Sequence, residues 1–136
     1  MKDASVLIVE DAPEVRMVLT EFLKIIGVRE TYECKDGLEA LAILNRQLEG
    51  DSIIPDIHIM LCDIHMPRMD GISLLREIKK NERLRNLGVI MLSGDGTEEM
   101  ILDSIQSGAD AFIVKPCSLN TIEEKIITFL KKRRIQ

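Results

Sequence analysis

Continuous apolar runs alternate five times with amphipathic stretches along this sequence, and that alternation limits the fold more than any other feature. The runs lie at residues 6–9, 57–62, 89–92 and 111–114, with a more polar run at about 30–34. Strands without polar alternation are typical of parallel sheets, which are buried on both faces. The pattern therefore predicts five strands, each followed by a helix.

Helix signals fill the intervals between these runs. Apolar residues recur at helical spacing, and the boundaries carry cap and stop residues. Pro13 suits a first helical turn, Gly27 and Gly108 suit helix ends, and Asp36 with Glu39 resembles a capping box. The other predicted caps are Asp70, Asp95 or Thr97, and Ser118.

Repeated strand–helix units with right-handed crossovers predict an α/β protein with a doubly wound parallel sheet. We expect residues 1–136 to form a single domain, with a core at about 5–130 and a basic tail at 131–136. Ligands of such sheets bind outside the carboxyl ends of the strands. The chain ends after the fifth unit, so we expect no output domain within it.

Composition narrows the class of protein. The net charge is −5, which argues against nucleic-acid binding by this domain. No apolar run approaches the roughly 20 residues that span a bilayer, and the start resembles no signal peptide. Three cysteines without paired spacing argue against disulfides and favour the cytoplasm, with Cys62 in the core. The basic run 131–134 is interpreted as a solvated helix end rather than a linker or contact patch.

Charged residues follow three of the apolar runs. Glu10 and Asp11 follow the first, Asp63 the third and Lys115 the fifth. Two carboxylates about 4 Å apart repel by about 4 kcal/mol at an effective dielectric of 20, so three of them require a proton or a divalent cation. An oxygen-only donor set suits Mg²⁺, and Mn²⁺ fits the same donors.

Asp63 is then a candidate nucleophile, because a carboxylate can accept a phosphoryl group as an acyl phosphate. Lys115 would neutralise the transferred oxygens, and Ser93 at the end of the fourth strand would donate a hydrogen bond. Taken singly, each of these residues is more often a cap, turn or surface residue. His58 and His65 are interpreted as structural or solvent-facing, and Met66 and Met69 as loop packing.

Taken together, these motifs resemble the CheY-like receiver domains of bacterial two-component response regulators. The resemblance covers about residues 5–130. It rests on the acidic pair, the loop Asp63-Ile-His-Met-Pro-Arg-Met-Asp-Gly71, the hydroxyl of Ser93 and Lys115-Pro116. It implies the flavodoxin-like strand order 2-1-3-4-5.

The resemblance also implies the roles of individual residues. Asp63 would be the phosphoacceptor and would bind Mg²⁺ together with Asp11, the backbone carbonyl of His65 and, through water, Glu10. Ser93 and Lys115 would bind the phosphoryl group, Phe112 would be the aromatic switch, and Lys115-Pro116 would be a cis peptide. The partners would be a sensor histidine kinase or phosphotransfer protein, and a target on the face of helix 4, strand 5 and helix 5, at roughly 97–132. The protein would be a monomer or an activation-dependent dimer, and it would bind no membrane.

Three departures from the family pattern stand out. Glu10 occupies a position where Asp is commoner. His65 and Asp95 flank the path of an attacking water, so we expect them to tune dephosphorylation. The third strand is expected to have an extended start, with Pro55 outside the sheet.

Other function classes remain as alternatives. A binding module that works without phosphorylation would be expected to lack Asp63, Lys115 or the acidic pair, and all are present. A phosphatase of the haloacid dehalogenase type also uses an Asp nucleophile. Such an enzyme requires a second Asp two residues later as its acid/base, and this chain has His65 at that position. A P-loop enzyme is excluded because no Gly-x-x-x-x-Gly-Lys occurs. The expected protein is a signalling switch rather than an enzyme.

Overall fold

The computed structural model describes residues 3–50 and 56–135, in which strands and helices alternate as the sequence predicts. The strands are β1 (Ser5–Val9), β2 (Glu30–Cys34), β3 (Ile59–Asp63), β4 (Gly88–Ser93) and β5 (Ala111–Val114). The helices are α1 (Pro13–Ile26), α2 (Gly37–Leu48), α3 (Gly71–Lys80), α4 (Glu98–Gln106) and α5 (Leu119–Ile135). A short 3-10 helix, Glu82–Leu84, lies between α3 and β4 and was not predicted.

The strands form one parallel sheet in the order β2-β1-β3-β4-β5, which confirms the predicted doubly wound α/β fold. Val9 pairs with Cys62 across β1 and β3, and Asp63 pairs with Leu92 across β3 and β4. The residues after β1 and at the ends of β3 and β4 therefore meet at one edge of the sheet.

The two faces of the sheet carry separate hydrophobic cores. On one face, Val6 and Ile8 pack with residues of α1 and α5 such as Leu23 and Ile126. On the other, Leu7 packs with residues of α2 and α3. The strands β1, β3 and β4 are buried along their whole length, which explains their continuous apolar sequences. Cys62 is fully buried, as predicted.

Most predicted helix boundaries are confirmed. Asp36 caps α2 and Asp70 caps α3, each by accepting a hydrogen bond from a backbone N–H in the first turn. Of the two candidates for α4, Thr97 is the cap. Asp95 instead accepts a hydrogen bond from the backbone N–H of Thr97 in the preceding turn. No helix among the described residues is long and apolar enough to cross a membrane.

The predicted start of the third strand is wrong. The strand begins at Ile59 rather than Ile57, and it ends at Asp63 rather than Cys62. His58 still forms backbone hydrogen bonds to both neighbouring strands, because its N–H donates to the carbonyl of Ser5 in β1 and its carbonyl accepts from the N–H of Gly88 in β4. Before it, the N–H of Ile57 donates to the side chain of Gln47 instead of to a strand. The prediction for Pro55 lies outside the described residues.

Candidate acidic site at the carboxyl edge of the sheet

Three carboxylates meet where β1 and β3 end. Glu10, Asp11 and Asp63 each place an oxygen atom within 4.8 Å of the others. Glu10 and Asp63 are only 1% and 5% exposed, whereas Asp11 is exposed. The parallel pairing of β1 with β3 brings them together, although Glu10 and Asp63 are 53 positions apart in the sequence. The site is thus acidic, with one open side at Asp11.

Lys115 follows β5 and reaches across the edge of the sheet to two of these carboxylates. Its Nζ lies 2.6 Å from Glu10 Oε1 and 3.2 Å from Asp63 Oδ1. Burial alone would lower the pKa of Lys115, but the hydrogen bond to Glu10 and the charge of Asp63 outweigh it and raise that pKa. Lys115 therefore stays protonated and offsets part of the negative charge.

The side chain of Glu10 is held from two directions. Its Oε1 accepts from Lys115, and its Oε2 accepts from the backbone N–H of Ala12 at 3.1 Å. Arg16 fixes the backbone here by donating to the carbonyl oxygens of Glu10 and Asp11. Partial burial, together with a hydrogen bond and the negative charge of Glu10, raises the pKa of Asp11. A second positive charge near Asp11 would relieve that repulsion.

Asp63 is engaged through one oxygen. Its Oδ1 accepts from the backbone N–H of Ile64 at 2.9 Å and lies near Lys115. Among the described residues, no hydrogen bond reaches its other oxygen, Oδ2. One oxygen is therefore oriented by the protein, while the other remains available for chemistry.

Gly71 lies against the backbone of Asp63. Its N–H donates to the carbonyl of Ile64 at 2.8 Å, and a Cβ at this position would lie 2.2 Å from the carbonyl oxygen of Asp63. Only glycine leaves room for this approach of α3 to the strand end. The Asp-Gly pair that starts α3 thus serves both as a cap and as a close packing contact.

Ser93 ends β4 beside this cluster and is completely buried. Its Oγ accepts from the backbone N–H of Asp95 at 3.0 Å, so its own proton remains available for donation. Its carbonyl accepts from the backbone N–H of Lys115, which ties the ends of β4 and β5 together. Gly94 has open space around its Cα.

The remaining predicted residues lie around this centre. Phe112 pairs with Met91 across β4 and β5 and is half-buried against the core. The peptide bond between Lys115 and Pro116 is cis. The His65 side chain is exposed in the loop after Asp63. His58 is also exposed and accepts a backbone hydrogen bond from Ser5, a structural role away from the cluster.

Sequence reasoning missed one contact near the site. Arg68, in the loop between β3 and α3, forms an ion pair with the cap residue Asp36, and its Nε lies 2.8 Å from Asp36 Oδ2. The two residues are 32 positions apart in the sequence. Asp36 is a predicted helix cap and Arg68 lies in the loop motif, but neither motif indicates that the two side chains pair. Only the packing of the loop against α2 reveals it.

Known proteins share both the sequence pattern and the fold. A family model for the response regulator receiver domain matches residues 6–127. The chemotaxis protein CheY-3 of Vibrio cholerae is 34% identical over 125 residues, covering 92% of this chain and 90% of that protein.

Two solved structures extend the comparison to three dimensions. The receiver domain of a signal transduction histidine kinase from Syntrophus aciditrophicus has a TM-score of 0.81 at 29% identity, covering 95% of this chain and 91% of that one. The receiver domain of the histidine kinase CKI1 from Arabidopsis thaliana, in complex with Mg²⁺ and BeF₃⁻, has a TM-score of 0.77 at 34% identity. That match covers 94% of this chain and 90% of the other. The likeness extends over nearly the whole of each chain.

Proposed function

The chain belongs to the response regulator receiver domain family, and from that membership we propose that it is a phosphorylation-controlled switch with Asp63 as its phosphoacceptor. Receiver domains act in two-component signalling as switches that communicate with histidine kinases and downstream targets. Residues 5–130 would form the receiver unit. The observation that carries the proposal is the nearly buried Asp63, held between an acidic pair and Lys115 at one sheet edge.

The donor set of the site fits a divalent cation. Three carboxylates supply only oxygen ligands within 4.8 Å of one another, and Lys115 offsets one of their three charges. Mg²⁺ prefers a few carboxylates and keeps several waters, and Mn²⁺ accepts the same ligands. Asp11, Asp63 and the carbonyl of His65 would hold the ion directly, and Glu10 through water. When bound, the ion would supply charge neutralisation for phosphoryl oxygens.

The phosphoryl transfer follows from the environment of Asp63. Its free oxygen, Oδ2, would attack the phosphorus of a phosphohistidine on the donor kinase or phosphotransfer protein. The new P–O bond forms as the P–N bond breaks, and the electron pair returns to the imidazole nitrogen. Oδ1, held by the N–H of Ile64, keeps the carboxylate oriented during the attack.

Lys115 and Ser93 would receive the transferred group. Lys115 Nζ already lies 3.2 Å from Asp63 and can pair with a phosphoryl oxygen, as phosphoryl transfer relies on positioned positive charge. The Ser93 hydroxyl still has a proton to donate. His65 and Asp95, on the loops that flank Asp63, would govern the access of water and hence the rate of dephosphorylation.

The output surface would be the face formed by α4, β5 and α5. Large apolar side chains are exposed on its first two elements: Leu102, Ile105 and Val114 are 57%, 47% and 46% exposed. Movement of Ser93 toward the phosphoryl group would be transmitted through Phe112 to this face, where a protein target or a second copy of the chain would bind. The domain itself would bind neither nucleic acid nor membrane, and it would act in the cytoplasm.

Intact-protein mass spectrometry after incubation with acetyl phosphate tests this proposal. We expect a gain of one phosphoryl group that requires Mg²⁺ and is absent from Asp63→Asn. Circular dichroism would check that the variant is folded. A folded wild-type protein that gains no phosphoryl group from acetyl phosphate or from a histidine kinase would contradict the proposed function.

A further inference from the structure

The loop between β3 and α3 contains a residue in an unfavourable backbone conformation. Arg68 has a φ of +65°, a region that bulky residues rarely adopt. The N–H of Met69 donates to the carbonyl of Pro67 at 2.7 Å, which closes a three-residue turn around Arg68. A turn of this kind with positive φ at its centre is rare and strained. Surrounding contacts must therefore hold the loop in place.

The side chain of Arg68 provides one of those contacts. Its Nε donates to Asp36 Oδ2 at 2.8 Å, and its Nη2 donates to the same oxygen. The Asp36 side chain is 3% exposed, and its other oxygen accepts from the N–H of Glu39 as the cap of α2. Burial works against the charge, but the hydrogen bonds from Glu39 and Arg68 lower the pKa of Asp36. The tip of the loop is thus tied to a fixed helix start.

A second contact lies beside the ion pair. A Cβ on Gly37 would lie 2.9 Å from the Cγ of Met69 and 3.1 Å from its carbonyl oxygen. Consecutive loop residues, Arg68 and Met69, therefore dock on the consecutive residues that begin α2. Two adjacent contacts fix the orientation of the loop better than a single ion pair does.

The loop carries a group that the acidic site needs. Its first residue, Ile64, is fixed by hydrogen bonds to the sheet and to Gly71. His65 lies between this anchored end and the docked tip, and its carbonyl is the proposed third protein ligand of the metal. The position of that carbonyl relative to Asp63 therefore depends on both ends of the loop.

We propose that Asp36 and Arg68 form a clamp that positions the β3–α3 loop, and with it the His65 carbonyl, for metal binding. This inference rests on the proposed function. Neither residue would touch the metal or the phosphoryl group, so both are positioning residues.

Arg68→Gly separates positioning from stability. Glycine tolerates positive φ, which relieves backbone strain while the ion pair is lost. We therefore expect a melting temperature within about 3 °C of wild type. Mg²⁺ binding, measured by isothermal titration calorimetry on the unphosphorylated protein, should weaken about tenfold. Metal sites in other proteins lose affinity to a similar extent when a residue that orients a metal ligand is removed. Arg68→Lys keeps a charge and should recover part of the affinity.

Two further variants make the test specific. Asp36→Asn keeps an acceptor for the helix cap but loses the charge, and it should weaken Mg²⁺ binding as Arg68→Gly does. The two changes combined should weaken it no further, because they remove one interaction. Arg76→Ala is the matched control: it removes another arginine–aspartate pair, to Asp103 at 3.0 Å, and should leave Mg²⁺ affinity unchanged.

The outcomes distinguish the clamp from the function on which it rests. If wild type binds Mg²⁺ and is phosphorylated, but Arg68→Gly and Asp36→Asn bind the ion equally well, the clamp is overturned and the proposed function stands. The clamp is also overturned if Arg76→Ala weakens Mg²⁺ binding by as much as Arg68→Gly does. If the wild-type protein binds no Mg²⁺, the metal-dependent function and the clamp both fall.

Discussion

Lys115 Nζ lies closer to Glu10 than to Asp63, at 2.6 Å against 3.2 Å. The lysine is thus bound more closely by the buried Glu10 than by the residue that we propose is phosphorylated. A phosphoryl group on Asp63 would bring additional negative charge within reach of the same ammonium. The competition between these two partners offers a physical way for Lys115 to respond to phosphorylation.

The first prediction concerns this lysine. Lys115→Met keeps much of the aliphatic stem but leaves Glu10 and Asp63 without their shared cation. We expect a loss of roughly 2–3 kcal/mol in the free energy of unfolding, because the remaining charges are nearly buried. Urea unfolding measures it.

The control for this measurement is an exposed lysine pair. Lys80→Met removes an ion pair to Glu77 in which both side chains are largely exposed, so it should cost less than about 0.5 kcal/mol. Equal losses in the two variants would contradict the structural role given to Lys115.

We further expect Lys115→Met to retain some phosphorylation by acetyl phosphate while failing to transmit it to the output face.

The second prediction concerns the contact between α3 and the end of β3. Gly71→Ala would place a Cβ 2.2 Å from the Asp63 carbonyl oxygen, so the backbone must move. We expect a loss of about 3 kcal/mol in stability and slower phosphorylation. Gly94→Ala is the matched control, since a Cβ there meets nothing within 4 Å. A Gly71→Ala protein as stable as Gly94→Ala would show that the close packing is absent.

The third prediction concerns acid stability. The hydrogen bonds of Asp36 lower its folded pKa below the ordinary value of 3.8. Its stabilising contribution is therefore present above that value, and it is lost as the pH falls through the lower folded pKa. Because the Arg68 side chain is 52% exposed, screening limits the contribution to about 1 kcal/mol.

Urea unfolding from pH 5 downward checks this expectation. The free energy of unfolding should fall more steeply for wild type than for Asp36→Asn, because the variant has no carboxylate to protonate at this position. Parallel curves for the two proteins would mean that the ion pair contributes nothing to acid stability.

The fourth prediction concerns the metal. A ligand that binds only the folded state stabilises it by about 2.7 kcal/mol at a concentration one hundred times its dissociation constant. Mg²⁺ should therefore raise the melting temperature of wild type beyond the effect of NaCl at equal ionic strength. Asp11→Asn, which removes the most exposed carboxylate of the cluster, should lose most of this shift. Equal shifts in both proteins would place the ion elsewhere.

The parallel sheet and its shared edge were predictable because they depend on sequence pattern, whereas the strand order was implied by the family resemblance. Continuous apolar runs indicated buried parallel strands, and the charged residues after them indicated one shared edge. In the structure, Lys115 forms ion pairs with both Glu10 and Asp63 at that edge. The start of β3 was predicted too early because Ile57 is apolar, and in the structure it is buried like a strand residue. Its N–H bonds to Gln47, and apolar sequence alone does not distinguish that from strand pairing.

Other features depend on the path of the backbone in three dimensions. The positive φ of Arg68 and its pairing with Asp36 follow from how the β3–α3 loop lies on α2. An arginine carries no local signal for either feature. The sequence likewise indicated that Gly71 begins a helix, but the 2.2 Å approach to Asp63 becomes visible only when strand and helix are assembled.

Peptide mapping can locate the phosphoryl group on the chain and so tests directly whether Asp63 is the phosphoacceptor. Borohydride reduces an acyl phosphate on an aspartate to homoserine, so peptide mapping of the reduced, acetyl phosphate-treated protein identifies the acceptor residue. We expect homoserine at position 63 alone, only in samples that contained Mg²⁺. Modification at Glu10 or Asp11 with Asp63 unchanged, or no modification of a folded protein that binds Mg²⁺, would contradict it.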